Sequence, residues 1–224
     1  MSTIAITGAG RGLGAAIARR FGSEGLAVAL IARNQERVDE LANELAGEGI
    51  TARGFAADVH DLDALGDALD QATDALGPIE VLAYSPLPAK EFLKSVLDTT
   101  VGELQAAVAF SVLAPARAVQ HVLPGMRKAG TGTVLFINGS SAARPNAKVA
   151  GTSTGFAGES AYGQMLHDAL QPEGIRVHQL IIPNAIAPGH PTHDPDVLAH
   201  TLWEQHTTGS EFRVFAEPLP AVER

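Results

Sequence analysis

The chain has no cysteine, so disulfides, thiolate nucleophiles and cysteine metal ligands are all excluded. Aromatic residues make up only 5%, with one tryptophan and two tyrosines, Tyr84 and Tyr162. Positive charge is in deficit: the formal net charge is −9, and no lysine follows Lys148. A general nucleic-acid or anionic-membrane binder is therefore not expected, because no net field draws phosphates in. Long apolar runs are missing as well. Leu26 to Ala32 is too short to span a bilayer. The first residues are spent on a short apolar run and a glycine loop with Arg11, Arg19 and Arg20 close behind, which is unlike a signal peptide. A cytoplasmic protein without contact to membrane or nucleic acid is the expectation.

What is present is an ordinary globular composition, 46% hydrophobic and 18% charged, in 224 residues. That suits one α/β domain over 1–224. Short β-like runs alternate with helical patterns. Strands are expected at 4–6, 27–32, 51–57, 79–83, 133–137, 175–181 and 212–215. Helices are expected near 13–23, 35–47, 61–75, 101–128, 154–170 and 195–206. Thr100-Val101-Gly102-Glu103 has the form of a capping box at the head of the long helix, and Pro115 is placed to bend it. Such alternation predicts a Rossmann-like, doubly wound parallel sheet with helices on both faces. Ligands in such sheets bind beyond the carboxyl ends of the strands.

The strongest local signal is Thr7-Gly8-Ala9-Gly10-Arg11-Gly12-Leu13-Gly14, between the run Ile4–Ile6 and an amphipathic helix. Gly8 permits a tight turn, Gly12 lets a pyrophosphate approach the backbone, and Gly14 lets the helix pack closely on the strand. Amide groups at the helix start then favour the anion. Gly8, Gly10, Arg11, Gly12, Leu13 and Gly14 are the expected dinucleotide loop. At the end of the second strand stand Arg33 and Asn34, where an acidic residue would select the ribose 2′-hydroxyl of NAD and an arginine the 2′-phosphate of NADP. Arg33 with Arg11 favours NADP(H) over NAD(H). Asp58-Val59 ends the third strand, and Asp58 is read either as acceptor for the adenine amino group or as a turn aspartate. Ser85 stands where it could reach the cofactor ribose. Pro183 opens a Pro- and His-rich loop, 183–194, that falls where a substrate-covering segment could sit.

Taken together, the glycine loop, Asp58-Val59, the stretch from Gly132 to Ser141 and Pro172-Glu173-Gly174-Ile175-Arg176-Val177 resemble the short-chain dehydrogenase/reductase family over nearly the whole chain. The resemblance implies seven strands, a nicotinamide dinucleotide, hydride transfer to or from a carbonyl or alcohol, and a homo-oligomer joined through the helices near 101–128 and 154–170. It also implies a Tyr acid, a Lys four residues later, a carbonyl-polarising Ser and an Asn on the long helix. Counting back from Gly174, the Tyr position holds Thr152 and the Lys position Phe156; the Asn position holds Ser111. The Ser is kept as Ser140, with Ser141 a shifted alternative. Neither tyrosine restores the pair, since Pro88 and Leu166 stand four residues beyond them.

A threonine hydroxyl is a far poorer acid than a tyrosine. Ser140 and Thr152 are the catalytic candidates, with water or substrate as other proton sources. Thr152, Ser153 and Thr154 also read as a helix cap. Tyr84 reads as a substitute donor or as a packing residue. His190, His193, His200 and His206 have no metal spacing, and no metal site is expected. Two functions remain open: an atypical NADP(H) oxidoreductase, or a catalytically inactive NADP(H)-binding partner subunit.

Overall fold

Strands buried on both faces cannot alternate polar with apolar, and here the central ones do not. Every residue of β1 (Thr3–Thr7) is buried, and β2 (Ala27–Ala32), β4 (Ile79–Tyr84), β5 (Gly132–Gly139) and β6 (Ile175–Ile182) are buried over most of their length. They pair in parallel with two less buried strands of five and three residues, β3 (Ala52–Ala56) and β7 (Arg213–Phe215), in the order β3-β2-β1-β4-β5-β6-β7. The short strands take the edges, where a charged residue such as Arg53 or Arg213 discourages further pairing. This computed structural model describes residues 2–219; Met1 and 220–224 of the expected 1–224 domain lie outside the described residues.

Side chains leave the sheet alternately to two cores. Ile4, Ile6, Leu30, Val81, Leu135 and Leu180 meet α1 (Leu13–Gly22), α2 (Gln35–Gly47) and α7 (Pro195–Thr207). Ala5, Ile31, Leu82, Phe136 and Val177 meet α3 (Leu62–Leu76) and α5 (Ala114–Ala129). The chain runs from β1 outward to β2 and β3, then crosses back to β4 on the other side of β1. The crevice for a ligand lies at that reversal, at the carboxyl ends of β1 and β4.

Helix starts follow the side-chain chemistry. Asn34 caps α2 by accepting from Arg37 N, and Asp61 caps α3 by accepting from Ala64 N. The capping box of Thr100 and Glu103 heads α4 (Val101–Val108). The helical run Val101–Ala129 is long and apolar enough to cross a membrane by composition, but it packs Ala107, Phe110, Ala118, Val119, Val122 and Met126 into the core. Its irregularity differs from the expected bend at Pro115. A π turn, Ala109–Leu113, lies between α4 and α5, just ahead of the proline. Pro115 has no N–H to give to the preceding turn, and the helical ladder changes register there.

The helix expected from 154 instead begins at Ala150 and runs to Leu170, as α6. Thr152, Ser153 and Thr154 lie inside its first turns and do not cap it. Ser153 Oγ accepts from Asn146 N at 3.0 Å and donates to Asn146 O at 3.1 Å, fastening the preceding loop to the helix. The early start was hidden by glycine, which weakens helix propensity. Packing supplies the reason for it: a Cβ on Gly155 would lie 2.7 Å from Ser111 Oγ and 2.8 Å from Ala107 O.

Thr100→Ala removes one half of the capping box. The expected loss is about 1 kcal/mol, a fall of about 2–4 °C in melting temperature for a chain of this size, read by differential scanning calorimetry.

Candidate functional site

The glycine loop is built by backbone constraint. Gly8 has φ +89°, and a Cβ there would lie 2.5 Å from Pro86 Cα and 2.6 Å from Ser85 O. A side chain is excluded twice over, by conformation and by space. Gly14 sits with its virtual Cβ 3.0 Å from Ala9 Cα, so α1 lies directly on the turn. Gly10 and Gly12 face open space. Gly12 is also the N-cap of α1, and no side chain caps that end. The first amides of the helix, from Leu13 and Gly14, are therefore left to whatever occupies that space. A cradle open above two glycines and an uncapped helix start fit a diphosphate.

The cations are distributed differently from the sequence-based expectation. Arg11 is drawn onto α2, with contacts of 3.1 Å to Glu40 and 2.7 Å to Glu44. Those carboxylates raise its pKa through hydrogen bonding and charge. Arg33 is exposed and makes no ion pair among the described residues. Arg37, one turn into α2, is exposed in the same way and was not singled out by the sequence reasoning. Its signal was the cap: Asn34 at the N-cap makes Arg37 the third helical residue, close to the end of β2. Asn34 spends its side-chain oxygen on that cap at 3.0 Å. Asp58 Oδ1 accepts from His60 N at 3.0 Å, which is the turn role, and Val59 is buried in the core. Ser85 N donates to Thr7 O at 2.9 Å, holding the ends of β1 and β4 together. Pro183 follows β6 directly and is half-buried.

Around α6 the hydroxyls are mostly committed. Thr152 Oγ1 is buried and donates to Phe92 O at 3.3 Å. Tyr84 is buried, its hydroxyl donates to Phe110 O in the π turn at 2.8 Å, and burial pushes its pKa well above the usual phenol range. The packing role is the one it fills. Ser111 is buried beneath Gly155. Ser140, half-buried, opens a short 3₁₀ turn, Ser140–Ala142, at the carboxyl end of β5, and Ser141 points into buried surroundings. Phe156 packs with Ala142 and Ile181. Lys148 is exposed in the preceding loop, and Tyr162 is half-buried against the core. His190 and His193 do meet, Nδ1 to Nδ1 at 3.2 Å, but His190 Nδ1 also accepts from Thr192 N and His193 N, so its lone pair closes a turn. No group of three metal-ligating residues is assembled among the described residues.

Residues 2–192 match the family model described as short chain dehydrogenase. The chain belongs to the short-chain dehydrogenase family. One relative is the "(2S)-[(R)-hydroxy(phenyl)methyl]succinyl-CoA dehydrogenase subunit BbsC" of Thauera aromatica, 33% identical over 133 residues, 59% of this chain and 52% of the relative. Another is human "Dehydrogenase/reductase SDR family member 4", 28% identical over 184 residues, 82% of this chain and 64% of the relative. The chain thus spans between half and two thirds of the length of these relatives. Among solved structures, the L-sorbose reductase of Gluconobacter frateurii complexed with NADPH and L-sorbose superposes with TM-score 0.87 at 20% identity, covering 98% of this chain and 97% of that one. A metagenomic short-chain oxidoreductase in complex with NADP gives 0.83 at 24%, covering 99% and 98%. Both share the fold.

Within this member of the family lies a polar layer that sequence reasoning missed. Glu159, seven residues after Thr152 on α6, is completely buried. Its Oε2 accepts from Asn138 Nδ2 at 2.8 Å, and its Oε1 has no partner. Asn138 Oδ1 in turn accepts from Gln179 Nε2 at 2.7 Å, and Gln179 Oε1 accepts from Arg213 Nε at 2.8 Å. The only sequence signal was one acid within a helix stretch of small residues. Burial raises its pKa to about 8, partly offset by the Asn138 bond.

An acid whose folded pKa exceeds its unfolded value binds an extra proton on folding between the two. Stability from Glu159 is therefore complete below its ordinary value of 4.5, declines as pH rises toward about 8, and is level beyond. Glu159→Gln removes that decline. The variant is expected to gain over the parent progressively between pH 5 and 8, by on the order of 1 kcal/mol per pH unit at most, in urea unfolding at each pH. Parallel curves across that range would overturn the buried-acid assignment.

Proposed function

We propose that this chain is an NADP(H)-binding oxidoreductase of the short-chain type, acting on a small carbonyl or alcohol without the Tyr–Lys pair. The observation that carries the reading is the uncapped start of α1 under the open glycine cradle at the β1/β4 crevice. Gly8, Gly10, Gly12, Leu13 and Gly14 would hold the diphosphate, with Ser85, Asp58, Val59, Asn34 and Pro183 around the rest of the cofactor. Arg33 and Arg37, near the end of β2, make no carboxylate pair among the described residues, and they suit a 2′-phosphate, whereas Arg11 is engaged by Glu40 and Glu44. The NADP and NADPH named in the two superposed structures support the same choice. A bound nicotinamide dinucleotide would supply hydride chemistry.

Ser140, at the end of β5, is the residue we assign to polarise a carbonyl. Among the described residues the two hydroxyls weighed as proton donors are engaged: Thr152 gives its hydroxyl to Phe92 O, and Tyr84 gives its own to Phe110 O. Protonation then falls to water or to the substrate, and turnover is slow, since a positioned general acid is worth roughly 10²–10⁴-fold. The reading includes a cytoplasmic homo-oligomer joined through α4–α5 and α6, which leave Val101, Leu113 and Met165 exposed.

A second reading is favoured by the same committed hydroxyls. In it the chain binds NADP(H) without turnover, as the partner of an active subunit. The Thauera aromatica relative is itself described as a dehydrogenase subunit.

Calorimetric titration separates cofactor from no cofactor: NADPH is expected to bind in the micromolar range and more tightly than NADH, and absence of both heats would sink either reading. Arg33→Ala with Arg37→Ala is expected to weaken NADPH by about tenfold or more, each lost charge-assisted bond being worth roughly 1.5–3 kcal/mol before solvent screening, and to leave NADH unchanged. Thr152→Tyr with Phe156→Lys tests the acid–base deficit. Carbonyl reductase activity that rises by about 10²-fold over the parent identifies the missing pair as the cause of slow turnover.

A further inference from the structure

After β7 the chain does not leave the sheet. Ala216 N donates to Ile181 O at 2.9 Å, extending the ladder beside the end of β6. Glu217 then turns toward the loop 183–194. Its Oε1 accepts from Asn184 Nδ2 at 2.5 Å and its Oε2 from Thr192 Oγ1 at 3.1 Å. The Nδ1 atom of His193, a fully buried ring, stands 3.8 Å from the same Oε2. Two residues later Leu219 lies on the small apolar cluster of Ala142, Phe156 and Ile181, with Ala143 at its edge. That cluster is separate from the two main cores and sits at the carboxyl ends of β5 and β6, directly after Ser140. It is the end of the sheet at which ligands bind.

We infer that Ala142, Phe156 and Ile181 form an apolar subsite for an alkyl or aryl group of the ligand, and that Leu219 fills it while Glu217 holds the tail shut. The inference rests on the oxidoreductase reading for the identity of the ligand as substrate. Its physical basis is the contrast between the two contacts. Leu219 supplies an isobutyl group, matched in size and polarity to a floor of two methyls, a phenyl and a branched alkyl side chain. Among the described residues Glu217 bonds only side chains of the loop 183–194, one of them on the exposed Asn184, so the catch can open without breaking the sheet. A ligand that needs the subsite must displace the tail, and its apparent affinity falls by the fraction of molecules that are open.

The test uses full-length chains and N-phenyl-1-naphthylamine, a neutral apolar fluorophore. Leu219→Ser removes the occupant and Glu217→Ala removes the catch. Each is expected to bind the fluorophore about tenfold more tightly than the parent, the tail being predominantly closed in the parent. Adding Phe156→Ser to Leu219→Ser is expected to abolish the gain. Equal affinity in the parent and both variants overturns the inference, and so does a gain that survives Phe156→Ser, because the fluorophore then sits elsewhere. A parallel NADPH titration keeps the two readings apart. If NADPH binds and the fluorophore affinities are all equal, the subsite fails and the cofactor reading stands. If the fluorophore gain appears and NADPH binds to none of the chains, the cofactor reading fails and the subsite stands.

Discussion

The arrangement depends on how closely α1 can be set down on the end of β1. Backbone meets backbone there: Gly8 lies against Ser85 and Pro86, and Gly14 lies against Ala9. With those approaches closed, the end of β4 is fixed relative to β1 and the helix start points into the crevice. Proline at 86 suits this role. It has no amide to satisfy and a fixed φ, so the β4 end is rigid at the place where Gly8 must pass it. The same constraint explains the absence of a side-chain cap on α1. A Ser or Asp at position 12 would occupy the space that the cradle leaves open.

Much of this was legible before any coordinates. Strand and helix alternation carried the sheet, because parallel strands covered on both faces must be continuous apolar runs joined by crossovers. The capping box at Thr100 located the start of α4. What failed to show was anything decided by packing across the chain. The start of α6 was misjudged because its glycines look like helix breakers, yet they are what lets α4 and the π turn come close. Arg11 was read as a cofactor cation from its place in the loop. Its pairing with Glu40 and Glu44 depends on where α2 lies, which spacing along the chain does not specify.

The buried layer of Asn138, Glu159, Ser160, Gln179 and Arg213 shows what the fold accepts between α6 and the sheet. Each buried polar side-chain atom in it has a partner among the described residues except Glu159 Oε1, and Ser160 Oγ joins the layer to Gln179 at 3.1 Å and to Ala142 O at 3.2 Å. Hydrogen bonds have a direction that apolar contacts lack, so this layer fixes the rotation of α6 about its own axis. Thr152 and Phe156 stand on the same helix, and their positions at the strand ends are set from below by Asn138 and Gln179.

The glycines of α6 also bear on the order in which the chain folds. A helix holding Gly151, Gly155, Gly158 and Gly163 has little reason to persist alone, since each glycine costs about 0.5–1 kcal/mol against alanine. Its structure is lent to it by α4, the π turn and the Phe92 segment, against which Gly151 and Gly155 are pressed. These parts are one cooperative unit. Their amides are expected to exchange with solvent together, at a free energy below that of the β1–β2–β4 centre.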